Sequence, residues 1–328
     1  MTTILLGPQR FTVTVAAVVR SLGLDGPVAM INSGWEERED DDGELSGHFA
    51  GAARNLRLHH RLLDAIEKDP QFAADARTFR NRHDELRAFY GIRLQAAVDA
   101  VDAVRHRTSI ERVGPAAEQA AVEAVRDVDA WYTHELEQLY ADVAASSGDQ
   151  SGPIGWHRGE VGAMLDECAA VVIAGGNVRT LLRTLRLFRV TLPADRPVVA
   201  WSAGAMALTG RVVLFNDFAS QGIAAPELHD TGLGRLPNVV ALPHARRRLR
   251  LDDRERMSLL ARRFRDDDLL LLDDGTVVRI PDEDAGLPAG ARTIGTDGAV
   301  TTSGTVPVGA ASEATAASAA PDRTGSDA

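Results

Sequence analysis

The sequence has one cysteine, few aromatic residues and no long apolar run. Because Cys168 stands alone among 328 residues, an internal disulfide and a cysteine-based zinc cluster are both excluded. The longest apolar runs, such as residues 169–174, are far shorter than the roughly 20 residues that span a bilayer. The N-terminus has no basic flank and no small-residue cleavage site, so we expect no signal peptide. These absences favour a cytoplasmic protein.

Positively charged residues are fewer than negatively charged ones. Lysine and arginine number 36 against 47 aspartates and glutamates, which gives a net charge of −11. A nucleic acid or an anionic membrane would require a basic face, so we expect neither as a partner. The histidines lack the spacing of metal ligands and no glycine-rich nucleotide motif is present, so we expect no metal and no cofactor.

Both ends of the chain show strands alternating with helices. The apolar pattern predicts strands at residues 3–6, 27–31, 169–174 and 197–201, with helices following the first, third and fourth of them. Such strand–turn–helix units in series predict an α/β fold, a parallel sheet with helices on both faces. Further along, the runs LLLLDDGTVVRI and TIGTDGAVTT place Asp-Gly between strand-like residues and predict two C-terminal β-hairpins.

The middle of the chain has a different pattern. Apolar residues recur every three or four positions in residues 51–147, which predicts three or four helices inserted into the α/β domain. The acidic run at 36–44 is expected to be a solvated loop before this insertion. The α/β domain would then span 1–308, interrupted by the insertion, and the Ala/Ser/Thr-rich tail at 309–328 would be disordered. The insertion could be a lid, a partner surface, a homodimer contact or a solvated appendage.

Ser202 stands between a predicted strand and a predicted helix, in the run VVAWSAGAMALTG. A sharp strand-to-helix turn projects a serine hydroxyl outward and directs unpaired N–H groups of the helix at a developing oxyanion. The run AWSAG departs from G-x-S-x-G only at its first residue. These features predict a nucleophile, and the alternative is a serine that only caps the helix.

A second turn, Gly175-Gly176-Asn177, also joins a predicted buried strand to a helix. Adjacent glycines permit positive φ and the close approach of a ligand. A backbone N–H of this turn could therefore join that of Ala203 in binding an oxyanion. The alternative is an ordinary glycine-rich turn.

A nucleophilic serine needs a base and a carboxylate, and each has alternatives. His244 follows an apolar run and a proline, which places it at a strand end, where α/β sheets assemble their sites. His229, in a polar segment, is the alternative base. Asp217 is the first candidate for the carboxylate, and Glu227 and Asp230 are the alternatives.

Four segments together resemble the family of peptidase E and cyanophycinase, which has the class I glutamine amidotransferase-like fold. The segments are AGGNVRTLLRTL, VVAWSAGAMAL, FND and GLGRLPNVVALPH, and the resemblance covers about residues 161–280. It implies a serine peptidase with a Ser-His-Asp/Glu triad that forms an acyl-enzyme. By this resemblance the nucleophile, the base, the carboxylate and the two oxyanion donors are Ser202, His244, Asp217, Gly176 and Ala203.

The resemblance also bears on the substrate. Peptidase E-like enzymes prefer an N-terminal aspartate and cyanophycinases cleave an aspartyl-arginine polymer, so a small, acidic peptide is the expected substrate. Arg246 and Arg247, next to His244, could bind a substrate carboxylate, and Asn177 is a further candidate contact. The alternative is that these arginines pair with aspartates of their own charge-rich segment.

Three hypotheses follow for the function. The first is hydrolysis of small peptides, and the second is hydrolysis of an acyl ester by the same serine. The third is a non-catalytic member of the fold that binds a ligand or a protein. A glutaminase is not expected, because amidotransferases of this fold use a cysteine where this chain has Ser202.

Overall fold

The computed structural model describes residues 2–49, 53–109, 112–146, 152–220, 224–281 and 286–303. The strands of this part of the chain are β1 (Thr3–Leu6), β2 (Val28–Ile31), β3 (Ala53–Asn55), β4 (Ala170–Ile173), β5 (Val198–Trp201), β6 (Arg211–Leu214), β7 (Glu227–Thr231), β8 (Val239–Pro243), β9 (Asp268–Leu272), β10 (Val277–Ile280), β11 (Arg292–Ile294) and β12 (Val300–Thr302). The helices are α1 (Val15–Ser21), α2 (Gly43–Gly47), α3 (Leu58–Lys68), α4 (Pro70–Arg105), α5 (Val113–Ser146), α6 (Gly152–Asp166), α7 (Val178–Leu187), α8 (Ala203–Leu208), α9 (Ala245–Arg248) and α10 (Arg254–Arg263), with a 3-10 helix at Ser33–Arg38.

A six-stranded sheet in the order β10-β1-β5-β4-β2-β3 forms the centre of the fold. All pairs are parallel except β1 with β10. Strands β1, β2, β4 and β5 are buried along their whole length because helices cover both faces of the sheet. The predicted α/β fold with a parallel sheet is confirmed. The carboxyl ends of β2, β4 and β5 meet at one edge, where the candidate site lies.

A second sheet, in the order β12-β11-β9-β8, brings the C-terminal part of the chain to the same region. The predicted hairpin around Asp297-Gly298 is present as the antiparallel pair β11–β12. The strands on either side of Asp274-Gly275 do not pair with each other, because β9 joins β8 and β11 whereas β10 joins β1. The Asp-Gly turn therefore connects two sheets.

The acidic segment at 36–44 is not the fully solvated loop that was expected, because part of it is buried. Glu39 is fully buried, and its carboxylate accepts hydrogen bonds from the backbone N–H groups of His59 and His60 at the start of α3. Next along the chain, β3 pairs in parallel with β2, so the central sheet extends into the segment predicted to be helical.

Helices α4 and α5 pack against each other and contact α10 and strand β7, which pairs with β6 in a two-stranded antiparallel sheet. Tyr90 and Tyr132 stack between them with ring centroids 4.2 Å apart. The Tyr90 hydroxyl donates to Asp129 and accepts from Arg263 of α10, and Arg263 also donates to both oxygens of Asp129. These buried contacts join α4 and α5, the helical hairpin, to α10 of the α/β domain. A solvated appendage would lack such contacts. The role of the hairpin stays a prediction.

The predicted disordered tail at 309–328 lies outside the described residues. Among the residues that are described, no helix has both the length and the hydropathy needed to cross a bilayer.

Candidate active site

Ser202 occupies the turn between β5 and α8. Its backbone has φ 52° and ψ −121°, a conformation that a non-glycine residue adopts only under strain. Although Ser202 is at the N-cap position of α8, its side chain makes no capping hydrogen bond. Capping therefore does not explain this serine, and the strained turn leaves its hydroxyl available for chemistry.

Gly204 allows the turn to approach the sheet this closely. A Cβ atom at this position would lie 2.3 Å from the carbonyl oxygen of Ile173 and 2.8 Å from that of Ala174. Both atoms are backbone of the β4 end and cannot yield as a flexible side chain would. The second glycine of the predicted serine motif is thus required by packing.

The glycine turn after β4 lies directly beside Ser202. A Cβ atom on Gly175 would come within 2.9 Å of the Ser202 Cβ atom, and Gly176 has φ 125°. A Cβ atom on Gly176 would also lie 2.3 Å from the Gly34 carbonyl oxygen. Ala203 is the first residue of α8, so its N–H has no acceptor within the helix. The structure therefore brings the predicted oxyanion donors and Ser202 together.

A cleft of about 630 Å³ opens at these turns. Its walls come from the loop after β1, the segment between β2 and β3, the glycine turn and the ends of β5 and β8. Ser202, Gly175, Gly176 and His244 line it, together with the charged residues Arg10, Arg38, Asp41 and Glu44.

His244 follows β8 in a left-handed conformation with φ 58° and ψ 32°, which turns the chain sharply at the cleft. Its imidazole is half-buried and makes no hydrogen bond to another described residue. Burial lowers the pKa of His244, and the charges of Arg248 and Arg247 add to this, against the opposing effect of Asp274 and Asp273. A lowered pKa keeps the imidazole neutral near pH 7, as a general base must be.

The carboxylates predicted as partners of His244 are engaged elsewhere. Asp217 accepts from the Arg250 backbone N–H at 2.9 Å and from the Arg256 guanidinium at 2.5 Å, so both its oxygens are used. Glu227 accepts two hydrogen bonds from Arg87 of α4. Asp230 accepts from the Tyr140 hydroxyl of α5. None of the three lines the cleft.

Sequence reasoning missed Asp273 and Asp274, which lie close to His244. Strands β8 and β9 are parallel with Pro243 opposite Leu272, so the residues that follow each strand emerge side by side. Asp273 accepts from the Arg246 N–H and from Arg292, whereas Asp274 has one buried oxygen, Oδ1, with no partner among the described residues. The signal in the sequence was the Asp-Gly turn, whose position beside His244 depends on strand register.

The residues predicted to contact substrate do not line the cleft. The Arg246 Nε atom lies 3.5 Å from Asp273, and Arg247 donates to Asp274 at 2.8 Å. The Asn177 side chain accepts from the first turn of α7, which it caps. The two arginines pair with acidic residues, as the alternative expectation held, although the aspartates belong to the turn after β9.

His229, the alternative base, is buried in β7 away from the cleft. Neither ring nitrogen has a hydrogen-bond partner in the described part of the chain. Burial lowers its pKa to about 4, and no contact joins it to Ser202. The geometry therefore favours His244 as the base.

Comparison with models of protein families identifies a family for this chain. The sequence model of Peptidase family S51 matches residues 121–287, just over half of the chain. This range contains Gly176, Ser202, His244 and Asp274 and extends back into α5. No curated protein matches the chain.

Proposed function

The chain belongs to peptidase family S51, and from this premise we propose that it hydrolyses small peptides with Ser202 as the nucleophile and His244 as the general base. The match confirms the predicted family and, with it, the general class of serine peptidase or hydrolase. The observation that carries the finer proposal is the strained turn at Ser202. It frees the serine from capping α8 and sets it on a cleft that His244 also lines.

The reaction follows from these positions. The His244 imidazole accepts the hydroxyl proton as Ser202 Oγ attacks the amide carbonyl carbon. The N–H groups of Gly176 and Ala203 bind the oxyanion that forms. His244 then donates the proton to the departing amine, which leaves an acyl-enzyme. In the second half of the reaction His244 accepts a proton from water as the water attacks the acyl carbon. The imidazole then returns the proton to Ser202 Oγ, and the acid is released. We expect the hydrogen bond between Ser202 and His244 to form when substrate binds. Catalytic hydrogen bonds are often long or poorly aligned in a free enzyme and shorten in its substrate complex.

We propose Asp274, rather than Asp217, as the carboxylate that orients His244. Its charge is the strongest of those that raise the pKa of this histidine, and its Oδ1 atom is buried with no hydrogen-bond partner in the described part of the chain. Arg247 already binds the other oxygen at 2.8 Å. The carboxylate of Asp217, by contrast, is fully used by Arg250 and Arg256.

The charges of the cleft support a substrate with both a carboxylate and an ammonium group. Arg10 lines the cleft and has no acidic partner among the described residues, so its guanidinium is available to a carboxylate. Glu44 lines the cleft without a cationic partner in the same part of the chain, and it could bind an α-ammonium group. Arg38 and Asp41, 3.3 Å apart, neutralise each other. A short peptide carries both groups.

A dipeptide library tests the proposal. Wild type should cleave a subset of dipeptides, and Ser202→Ala should lose at least about 10⁴-fold in kcat with an unchanged circular dichroism spectrum. A fluorophosphonate should label wild type at Ser202 and leave Ser202→Ala unlabelled. Acyl esters in the same panel distinguish an esterase, and the absence of both turnover and labelling would favour a binding protein.

A further inference from the structure

A small cavity lies between the helical hairpin and the α/β body, apart from the cleft. Its lining includes Arg80 and His83 of α4 and Arg179 and Arg183 of α7. None of these residues lines the active-site cleft. We call this cavity the arginine pocket.

The arginine pocket holds more positive than negative charge. Arg179 is paired with Asp84 at 3.1 Å. Arg80 and Arg183 have no acidic partner among the described residues, and the Nε atom of Arg183 is buried without an acceptor. Burial lowers the pKa of Arg183 and the nearby charge of Arg80, which is exposed, lowers it further, so a partly buried guanidinium lies near a second positive charge. Such an arrangement is costly unless an anion joins it.

The carboxylate of Asp230, which also lines the pocket, does not supply that anion. Asp230 is fully engaged by the Tyr140 hydroxyl, 2.6 and 2.7 Å from its two oxygens, and by Arg186 at 3.3 Å. His83 Nε2 is 3.8 Å from Asp230, too far for a hydrogen bond, and it is buried with no hydrogen-bond partner among the residues that the structure describes. The pocket thus offers unused nitrogen atoms on both helices.

The other acidic side chain close to Arg183 is also occupied. Glu36 acts on Arg183 through its charge, yet its Oε1 atom accepts from Asn177 and from Thr180 at the start of α7. Glu36 therefore joins the 3-10 helix to the start of α7 rather than pairing with the arginine.

We propose that the arginine pocket binds a small oxyanion, either a phosphate or the carboxylate of a small metabolite. Planar guanidinium groups bind both through paired hydrogen bonds, which a spherical anion such as chloride cannot match. The cavity measures about 50 Å³, several times the roughly 10–15 Å³ that one water needs, so it accommodates one group of four or five heavy atoms. The site is independent of the proposed hydrolysis.

Thermal unfolding and calorimetry of the full chain test this proposal. Inorganic phosphate, acetate and chloride are added at matched ionic strength in a buffer without oxyanions. Phosphate or acetate should raise the melting temperature saturably, and chloride should not. Arg183→Gln should weaken the binding of the active anion at least about tenfold. Comparison of the phosphate and acetate titrations shows which of the two anions the pocket prefers.

Three variants serve as controls. Arg77→Gln removes a charge from the exposed face of α4 and should leave binding unchanged. Arg10→Gln removes the unpaired arginine of the cleft and should also leave it unchanged; loss of binding there would assign the anion to the cleft and overturn the proposal. Without added anion, Arg183→Gln should unfold at or above the wild-type temperature, because it relieves the repulsion from Arg80. Equal responses of wild type and Arg183→Gln to the oxyanion would also overturn the proposal.

Discussion

The Arg247 guanidinium donates to Asp274 Oδ2 at 2.8 Å and leaves Oδ1 of the same carboxylate buried and free of partners within the described residues. The same guanidinium lies over the ring of Phe11, 4.4 Å from its centroid, in the loop after β1. Asp274 is thus held from one side by an arginine that also stacks on an aromatic ring. Its free oxygen is the acceptor that a histidine N–H requires.

The first prediction separates the two candidate carboxylates. Asp274→Asn should lower kcat about 10³-fold or more, because an amide no longer stabilises the imidazolium or fixes its tautomer. Asp217→Asn should keep most of the activity, although it weakens the contacts to Arg250 and Arg256 and lowers stability. Steady-state kinetics on the best dipeptide and a urea titration measure both effects. The reverse pattern, with only Asp217→Asn inactive, would restore Asp217 to the triad.

The second prediction concerns the pH profile. The acid limb of kcat/KM reports the pKa of the base in the free enzyme, and burial with Arg248 and Arg247 lowers the pKa of His244 below 6.5. Because the base works when neutral, activity should persist below pH 6.5 and fail as His244 takes up a proton. Removing a cation in Arg248→Gln should move the acid limb to higher pH.

A charge-matched control is available at Arg20. This exposed arginine lies in the last turn of α1 and does not line the cleft, so Arg20→Gln should leave the acid limb in place. An acid limb above pH 6.5 in wild type, or one that Arg248→Gln does not move, would count against His244 as the titrating base.

The third prediction tests the turn itself. Gly204→Ala places a Cβ atom 2.3 Å from the Ile173 carbonyl oxygen, so α8 must move away from β4. We expect a loss of about 1–3 kcal/mol in unfolding free energy and a larger fractional loss in kcat than in binding. Gly162→Ala is the matched control, because a Cβ atom there meets nothing within 4 Å. Equal kinetics for the two variants would mean that the turn tolerates displacement.

Much of the serine side of the site was predictable because it is encoded locally. The strand before Ser202, the small residues after it and the glycine turn at Gly175 each lie within a few positions of the feature that they form. Strands β4 and β5 are short, apolar and β-branched, and no predicted bound differs from the structure by more than one residue. The family resemblance rested on these same runs.

The remainder depends on long-range pairing. Asp274 comes beside His244 only because β9 aligns with β8, a register that no local pattern reveals. Glu39 appeared to belong to a solvated acidic run, but its carboxylate binds the free N–H groups that begin α3, 20 residues later. Composition shows that Glu39 belongs to an acidic run, but it does not show which helix terminus its carboxylate will bind.

The fourth prediction concerns stability and the buried His229. Its folded-state pKa is about 4 against 6.5 for the free side chain, because burial disfavours the charged ring. Between pH 6.5 and 4 the unfolded chain binds a proton at His229 that the folded state does not bind. The residue therefore has no effect on the unfolding free energy above pH 6.5 and lowers it as the pH falls toward 4. The loss is of the order of 3 kcal/mol when complete.

Urea unfolding at pH values from 7 to 4 measures this effect. His229→Leu removes the titrating ring, so its unfolding free energy should fall less than that of wild type across the window, whatever its stability at pH 7. His134→Gln, an exposed histidine of α5, should follow the wild-type curve. Because Asp230 and Glu227 raise the pKa of His229 while Arg87 and Arg179 lower it, Glu227→Gln should make the loss slightly greater. Parallel curves for wild type and His229→Leu would show that the ring takes up its proton without unfolding the protein, and that the arrangement around β7 accommodates a charged imidazole.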